Sequence, residues 1–425
     1  MESGICEGYV PDNHADLVVP LMSSLQSLGE AADLVHPQLA DHHKLAGFVA
    51  ASVAAAMGLS PEEQEALLCA GLVHDIGAFS ATQRLDVARF DAEDVFPHCL
   101  TGCMLLRDFP SLAHIADIVR NHHIRWDHGH GLDHQRDGAE RSGHILHLAD
   151  RVAVGIREKE GNPLEIGKRV IRRIRDQSGK MFDPELVEVF RSLGREERFW
   201  FEVSSLSDEI VARYWQPGTV FNGTMPMSEM AHFFGRVIDF RSSFTATHSK
   251  SVSAVAERLG LLVGLFRKES RLLNVAGHLH DLGKLGVPIE IIEKPGRLTD
   301  HEYDIMKIHP YHTLEVLRKV PGLEGIARWC GYHHEFLDGS GYPFHLKADA
   351  ICIQSRILSV ADTFTALTED RPYRRGMPSA EVRRILGELA AAAKLDHCVV
   401  GLATRHYDEI YQCMLAVQPS EMRSY

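Results

Sequence analysis

Seven residues in the second half of this 425-residue chain have the chemistry of metal ligands: His248, His280, Asp281, His309, His333, His334 and Asp362. His280 and Asp281 are adjacent, near the end of an apolar stretch within Ala276–Leu285, AGHLHDLGKL. Imidazole nitrogen suits Zn, Fe, Ni or Cu, and a carboxylate can bridge two cations. One His-Asp pair is a weak signal. Five further donors, each in an apolar and helical context, make a shared metal centre the better reading. Two cations about 3.5–4 Å apart, with a hydroxide between them, would supply a nucleophile at neutral pH.

The same spacing occurs twice. His98 precedes His122-His123 by 24 residues, and His309 precedes His333-His334 by 24. His42 lies 32 residues before His74-Asp75, and His248 lies 32 before His280-Asp281. Asp127 follows His122 by five, as Asp338 follows His333, and ILHLAD ending at Asp150 echoes ILSVAD ending at Asp362. The chain therefore reads as a tandem repeat. His42, His74, Asp75, His98, His122, His123 and Asp150 form a possible second metal site in the first copy.

The elements that position these residues read as helices. Lys44–Leu59 is rich in alanine and apolar at helical spacing, and Ser60-Pro61-Glu62-Glu63 is a helix start. Strand signals are few. The expected fold class is all-α, two helical bundles in tandem, divided as residues 1–215 and 216–425. The Pro and Gly punctuation of Trp215–Ser228 marks the junction. The basic run Gly167–Lys180 reads as a solvated amphipathic face.

Composition narrows the partners. Lys and Arg number 45 against 58 Asp and Glu, a net charge of −13, which argues against a nucleic-acid polymer. No segment has the apolar length of a membrane span and no secretory leader opens the chain, so a cytoplasmic protein is expected. The eight cysteines have no C-x-x-C pairing. Cys99 and Cys103 are the closest, and they read as buried thiols.

The motifs HDLGKLGVP, KPGRLT, HHEFLDGSGYP and VADTFTALTEDRPYR, spread over residues 230–415, resemble the HD-GYP family of cyclic dinucleotide phosphodiesterases. The tandem arrangement is similar to the subgroup acting on 3′,3′-cGAMP. The resemblance implies an enzyme that linearises cyclic di-GMP, 3′,3′-cGAMP or both, using two divalent ions, with iron or manganese favoured and Zn, Ni, Co and Mg left open. It places His248, His280 and Asp362 on one ion, His309, His333 and His334 on the other, and Asp281 between them. It gives Lys284 a catalytic and substrate-binding role, and sets Arg371 and Arg374 on the second phosphate, with Tyr373 a candidate for base stacking. A third-metal glutamate of some members is replaced by Phe244.

Several smaller expectations follow. Gly339 and Gly341 would take positive-φ backbone, Pro343 would fix the loop exit, and Asp338 would orient a ligand histidine. His312 would be an outer or structural residue, and His278 a core residue. In the first copy Ala78 stands where Lys284 stands in the second, Gly129–Gly131 replaces the GYP region, and no RPYR follows Asp150. That copy is expected to be regulatory or inactive. Two other functions compete: a nucleotide phosphohydrolase acting on a dNTP or (p)ppGpp, and a non-catalytic nucleotide-binding signalling protein. A homodimer or a signalling partner is possible.

Overall fold

The computed structural model describes residues 17–78, 80, 96–127, 138–157, 161–215, 223–241, 247–370 and 375–417. The fold among them is helical, as expected, with two three-residue strands. The first copy contains α1 (Leu21–Asp33), α2 (His42–Ala56), α3 (Pro61–Val73), α4 (Phe96–Arg107), α5 (Ala113–Asn121) and α6 (Gly138–Arg157). Helices α7 (Pro163–Arg175), α8 (Pro184–Leu193), α9 (Glu197–Ser204) and α10 (Asp208–Val211) follow. The second copy repeats the pattern with α11 (Met227–Phe240), α12 (His248–Val263), α13 (Arg267–Leu279), α14 (Ile289–Ile292), α15 (Asp300–Met306), α16 (His309–Leu317), α17 (Glu324–Gly331) and α18 (Ile353–Thr368). It closes with α19 (Ser379–Ala391), α20 (His397–Arg405) and α21 (Tyr407–Val417).

Local chemistry sets the helix starts. Ser60 accepts from the Glu63 amide while the Glu63 carboxylate takes the Ser60 amide, and Pro61 sits in the first turn. Thr299 and Glu302 make the same reciprocal cap on α15. Within each copy a central antiparallel-type pair, α2 on α3 and α12 on α13, carries the last helix of the repeat, α6 or α18, against it.

The two copies are related by a local twofold. Strand β1 (Val18–Pro20) pairs antiparallel with β2 (Thr224–Pro226), Val19 facing Met225. The offset of 206 that takes His42 to His248 also takes Val19 to Met225, so this residue pairs with its own counterpart. The surface ion pairs obey the same relation with charge reversed: Glu30–Lys319 at 2.6 Å is answered by Arg236–Asp108 at 2.6 Å.

The first helix of each copy reaches into the other. Helix α1 packs on α16 and on the 3₁₀ turn Leu282–Gly286, and α11 packs on α4. Ser27 donates to the Val316 carbonyl at 3.1 Å. The buried apolar side chains form one cluster that runs through both copies. No described helix is long and apolar enough to cross a membrane.

Candidate metal centre

Helix ends deliver the donors of the second copy. His248 opens α12, His280 and Asp281 follow α13, His309 opens α16, His333 and His334 follow α17, and Asp362 lies on α18. A glycine makes this convergence possible. A Cβ at Gly283 would stand 2.0 Å from the His309 carbonyl oxygen, and at Gly77 it would stand 2.1 Å from that of His98. Only a residue without a side chain lets the turn after His-Asp press against the next ligand helix.

Asp281 faces both groups of histidines. Its Oδ2 is 3.2 Å from His280 Nε2, and its Oδ1 is 3.4 Å from His309 Nε2 and 4.0 Å from His333 Nε2. Asp362 Oδ1 lies 3.2 Å from His248 Nε2 and 4.0 Å from His280 Nε2. The His309 and His334 rings are 5.1 Å apart, and those of His333 and His334 are 4.0 Å apart. All seven predicted donors are thus brought together.

The tautomers are fixed from behind. Nδ1 of His280, His309 and His333 each points to the carbonyl three residues earlier, of Gly277, Met306 and Cys330. Nδ1 must be the N–H, which leaves the Nε2 lone pair facing inward. Nε2 of His280, His309 and His333 and Oδ1 of Asp281 are buried without a hydrogen-bond partner among the described residues. Buried polar atoms are ordinarily satisfied. Imidazole and carboxylate donors aimed at a common space fit divalent cations, and that fit accounts for the unpaired atoms.

Electrostatics agree with this. Burial pushes the Asp281 carboxyl up, but its neighbours His280 and Lys284 outweigh it and hold the group well below the usual carboxylate range. Burial brings His309 down to about 3 and His333 to about 4, so both are neutral ligands near pH 7. His248 differs. Burial would lower it, yet Asp362 and Glu369 together raise it to about 10.

Lys284 sits in the 3₁₀ turn, and its Nζ is 2.6 Å from Asp281 Oδ2. Behind it Arg241, buried, donates to the carbonyls of Lys284 and Val287. Tyr342 lies against the His334 ring at 4.9 Å, and Tyr303 meets Tyr342 edge-on at 6.1 Å.

The first copy has the same arrangement. His42 Nε2 is 3.4 Å from Asp150 Oδ1, and His74 Nε2 is 3.3 Å from Asp75 Oδ2. Asp75 Oδ1 lies 3.1 Å from His98 Nε2 and 3.5 Å from His122 Nε2, and His123 Nε2 is 4.0 Å from Asp150 Oδ2. Ala78 is buried where the second copy has Lys284, and a buried Arg151 binds Asp150 Oδ2 through Nε and Nη2.

Some expectations need correction. Asp338 does not orient a histidine. It is exposed, and its Oδ1 accepts from the Ser340 amide and hydroxyl at 2.8 and 2.7 Å, closing the loop on itself. Gly339 has φ +84°, but Gly341 is not a positive-φ residue; a Cβ there would stand 2.2 Å from the Phe336 amide nitrogen. As expected, His278 is a core residue, edge-on to His232 at 4.5 Å, and His312 is half-buried beside Gly286. Arg371, Tyr373, Arg374, Phe244 and Gly129–Gly131 lie outside the described residues.

Three residues were not anticipated. Glu369 Oε2 is 3.0 Å from His248 Nδ1. It follows Asp362 by seven positions, two helical turns on one face, and that spacing was the available signal. Buried Glu335 accepts from the amides of Phe344 and Leu346 at 2.6 and 2.9 Å, fixing the loop after Pro343. Arg151 had no signal beyond its place after Asp150.

Two helical bundles, each with histidines and a His-Asp pair closed by an aspartate on the helix packed across its central pair, define HD domains. Models of the HD domain match residues 39–155 and 233–399. The chain belongs to the tandem HD-domain phosphodiesterases: it is 32% identical, over 95% of both chains, to 3′3′-cGAMP-specific phosphodiesterase 1 of Vibrio cholerae. It is 38% identical to a cyclic di-GMP phosphodiesterase of Pseudomonas aeruginosa over 34% of this chain and 35% of that one. A crystal structure of a cyclic GMP-AMP specific phosphodiesterase of V. cholerae superposes with TM-score 0.63 at 24% identity, covering 95% of this chain and 99% of that chain, and shares its fold.

Proposed function

We propose that the second copy, residues 216–425, is a divalent-metal-dependent phosphodiesterase that opens a cyclic dinucleotide to its linear form. The observation that carries this is Asp281, whose two oxygens face two groups of buried imidazoles with unpaired Nε2 atoms. The similarity to a 3′3′-cGAMP-specific enzyme over nearly the whole chain supports 3′,3′-cGAMP as substrate, and cyclic di-GMP is the second candidate.

His248, His280 and Asp362 would hold one ion, His309, His333 and His334 the other, with Asp281 shared. Two ions would supply a nucleophilic water at neutral pH and polarise the phosphoryl oxygens. Iron or manganese suits the N/O donor set.

The residues of the chain do the rest. Asp281, kept ionised, balances the cationic charge. An ammonium has three N–H donors, and Lys284 has one on Asp281, so the others can meet a phosphoryl oxygen at the rim and neutralise charge that grows during cleavage. Arg241 holds the turn that carries Lys284. Tyr342 and Tyr303 form an aromatic wall beside His334. Arg371 and Arg374 are assigned to the second phosphate by resemblance. The first copy, residues 1–215, keeps donors for cations but lacks a counterpart of Lys284, and is assigned a regulatory role.

The test is an assay of metal-loaded protein with cyclic di-GMP, 3′,3′-cGAMP and dGTP. Conversion of a cyclic dinucleotide to its linear form is expected. Cleavage of dGTP alone would assign the site to nucleotide phosphohydrolysis instead.

A further inference from the structure

The two copies differ at one donor. Cys99 follows His98 in the first turn of α4; the corresponding residue after His309 is Pro310, which has no ligand atom. Cys99 is fully buried. Its Sγ is 3.6 Å from His98 Nε2, and the ligand atoms of His98, Cys99, His122 and His123 all lie within 4.8 Å of one another.

Four separations among Cys99, His98, His122 and Asp75 match tetrahedral edges. An ion with bonds of about 2.0–2.1 Å to nitrogen or oxygen and about 2.3 Å to sulfur sets N···N and N···O edges near about 3.3 Å, and N···S near about 3.6 Å. His98 to His122 is 3.2 Å, His98 to Asp75 is 3.1 Å, His122 to Asp75 is 3.5 Å, and His98 to Cys99 is 3.6 Å. The set is also enclosed. His98, Asp75, Cys99 and His122 are all buried, and His123 Nε2 beside them is buried without a hydrogen-bond partner among the described residues. On the other side Arg151 occupies one oxygen of Asp150.

We propose that the first copy contains a closed thiolate–imidazole–carboxylate zinc site, with Cys99, His98, His122 and Asp75 as ligands and His123 adjacent. Four protein donors leave no open position, which is the arrangement of a structural ion. A thiolate favours Zn over Mn or Mg, so this site differs in metal preference from the N/O centre of the second copy. The inference rests on the first copy's donors alone and is independent of the phosphodiesterase assignment.

The placement gives the ion a task. It would join the end of α3 to the start of α4 and the end of α5. The corner between α4 and α5 grips α11 of the second copy: Asp108 pairs with Arg236 at 2.6 Å, Phe109 meets Phe233 at 5.2 Å, and the Ser111 amide and hydroxyl donate to Glu229 at 2.8 and 3.0 Å. Arg241 caps the C-terminus of α11 and holds the Lys284 turn.

The experiment uses the full chain, depleted of metal and titrated with Co²⁺. A sulfur-to-cobalt charge-transfer band in the near ultraviolet is expected. It should vanish in Cys99→Ser, persist in Cys103→Ser and Cys330→Ser, and be bleached by stoichiometric Zn²⁺ but not by Mn²⁺. The wild-type spectrum alone is decisive if Cys99→Ser fails to fold, since no band means no sulfur ligand. A band that survives Cys99→Ser also overturns the assignment. Phosphodiesterase activity in the same sample separates the two readings: activity without the band removes only the zinc site, and the band without activity removes only the catalytic proposal.

Discussion

Glu369 Oε2 lies 3.0 Å from Nδ1 of His248, so a side chain holds the back of this candidate ligand histidine, where backbone carbonyls hold those of His280, His309 and His333. A carboxylate behind a metal-bound imidazole orients the ring and raises its basicity. Glu369→Gln should retain the fold and weaken the first ion by about 10–100-fold. Metal titration of the variant, read by content per chain, checks this. Unchanged affinity would make Glu369 a packing residue.

Lys284→Ala tests the rim ammonium. Removing one charge-stabilising donor from an active site typically costs about 10²–10³ in kcat. The variant should lose activity on that scale while keeping its metal content, since Asp281 loses only a salt-bridge partner. Loss confined to KM would assign Lys284 to ground-state binding.

Gly283→Ala probes the turn between the ligand helices. Its Cβ would stand 2.0 Å from the His309 carbonyl oxygen, so α16 must move outward. Overpacking of this kind costs about 3 kcal/mol. A lowered denaturation midpoint with loss of the second ion is expected. Gly401→Ala, on α20 with nothing within 4 Å, is the matched control.

The buried histidines set an acid limit. Burial holds His147, His278 and His309 at about 3, and His122 and His333 at about 4. An unfolded histidine titrates near about 6.5, so below that pH the unfolded chain binds more protons than the folded one. Metal-depleted protein should therefore lose stability as pH falls from about 6.5 toward 3, by at most about 1.4 kcal/mol per pH unit for each such imidazole. His248, raised to about 10, acts the other way: its contribution is full below about 6.5 and is lost as pH rises through 10. Denaturant midpoints at pH 7, 6 and 5 read the acid side. A flat profile would mean that these rings are hydrated in solution.

The candidate ligands were legible because metal chemistry demands particular side chains and the repeat prints their spacing twice. His42 and His248, or Asp150 and Asp362, stand out without coordinates. So did the helix start at Ser60, where side chain and backbone interact within four residues. The role of Asp338 was misread because its partner Ser340 is a local turn contact that competes with any distant histidine, and sequence does not rank the two.

What the sequence determined by itself was the all-helical class, the tandem repeat and the fourteen donors, since each depends on residue type and on separation along one chain. The tertiary structure alone decided which oxygen of Asp281 faces which histidines, that Glu369 backs His248, that Cys99 turns toward His98, and that α1 and α11 cross between the copies. Those contacts join residues as many as 289 positions apart, as Ser27 and Val316 are. They are set by how buried helix faces pack, and no spacing within a single element encodes them.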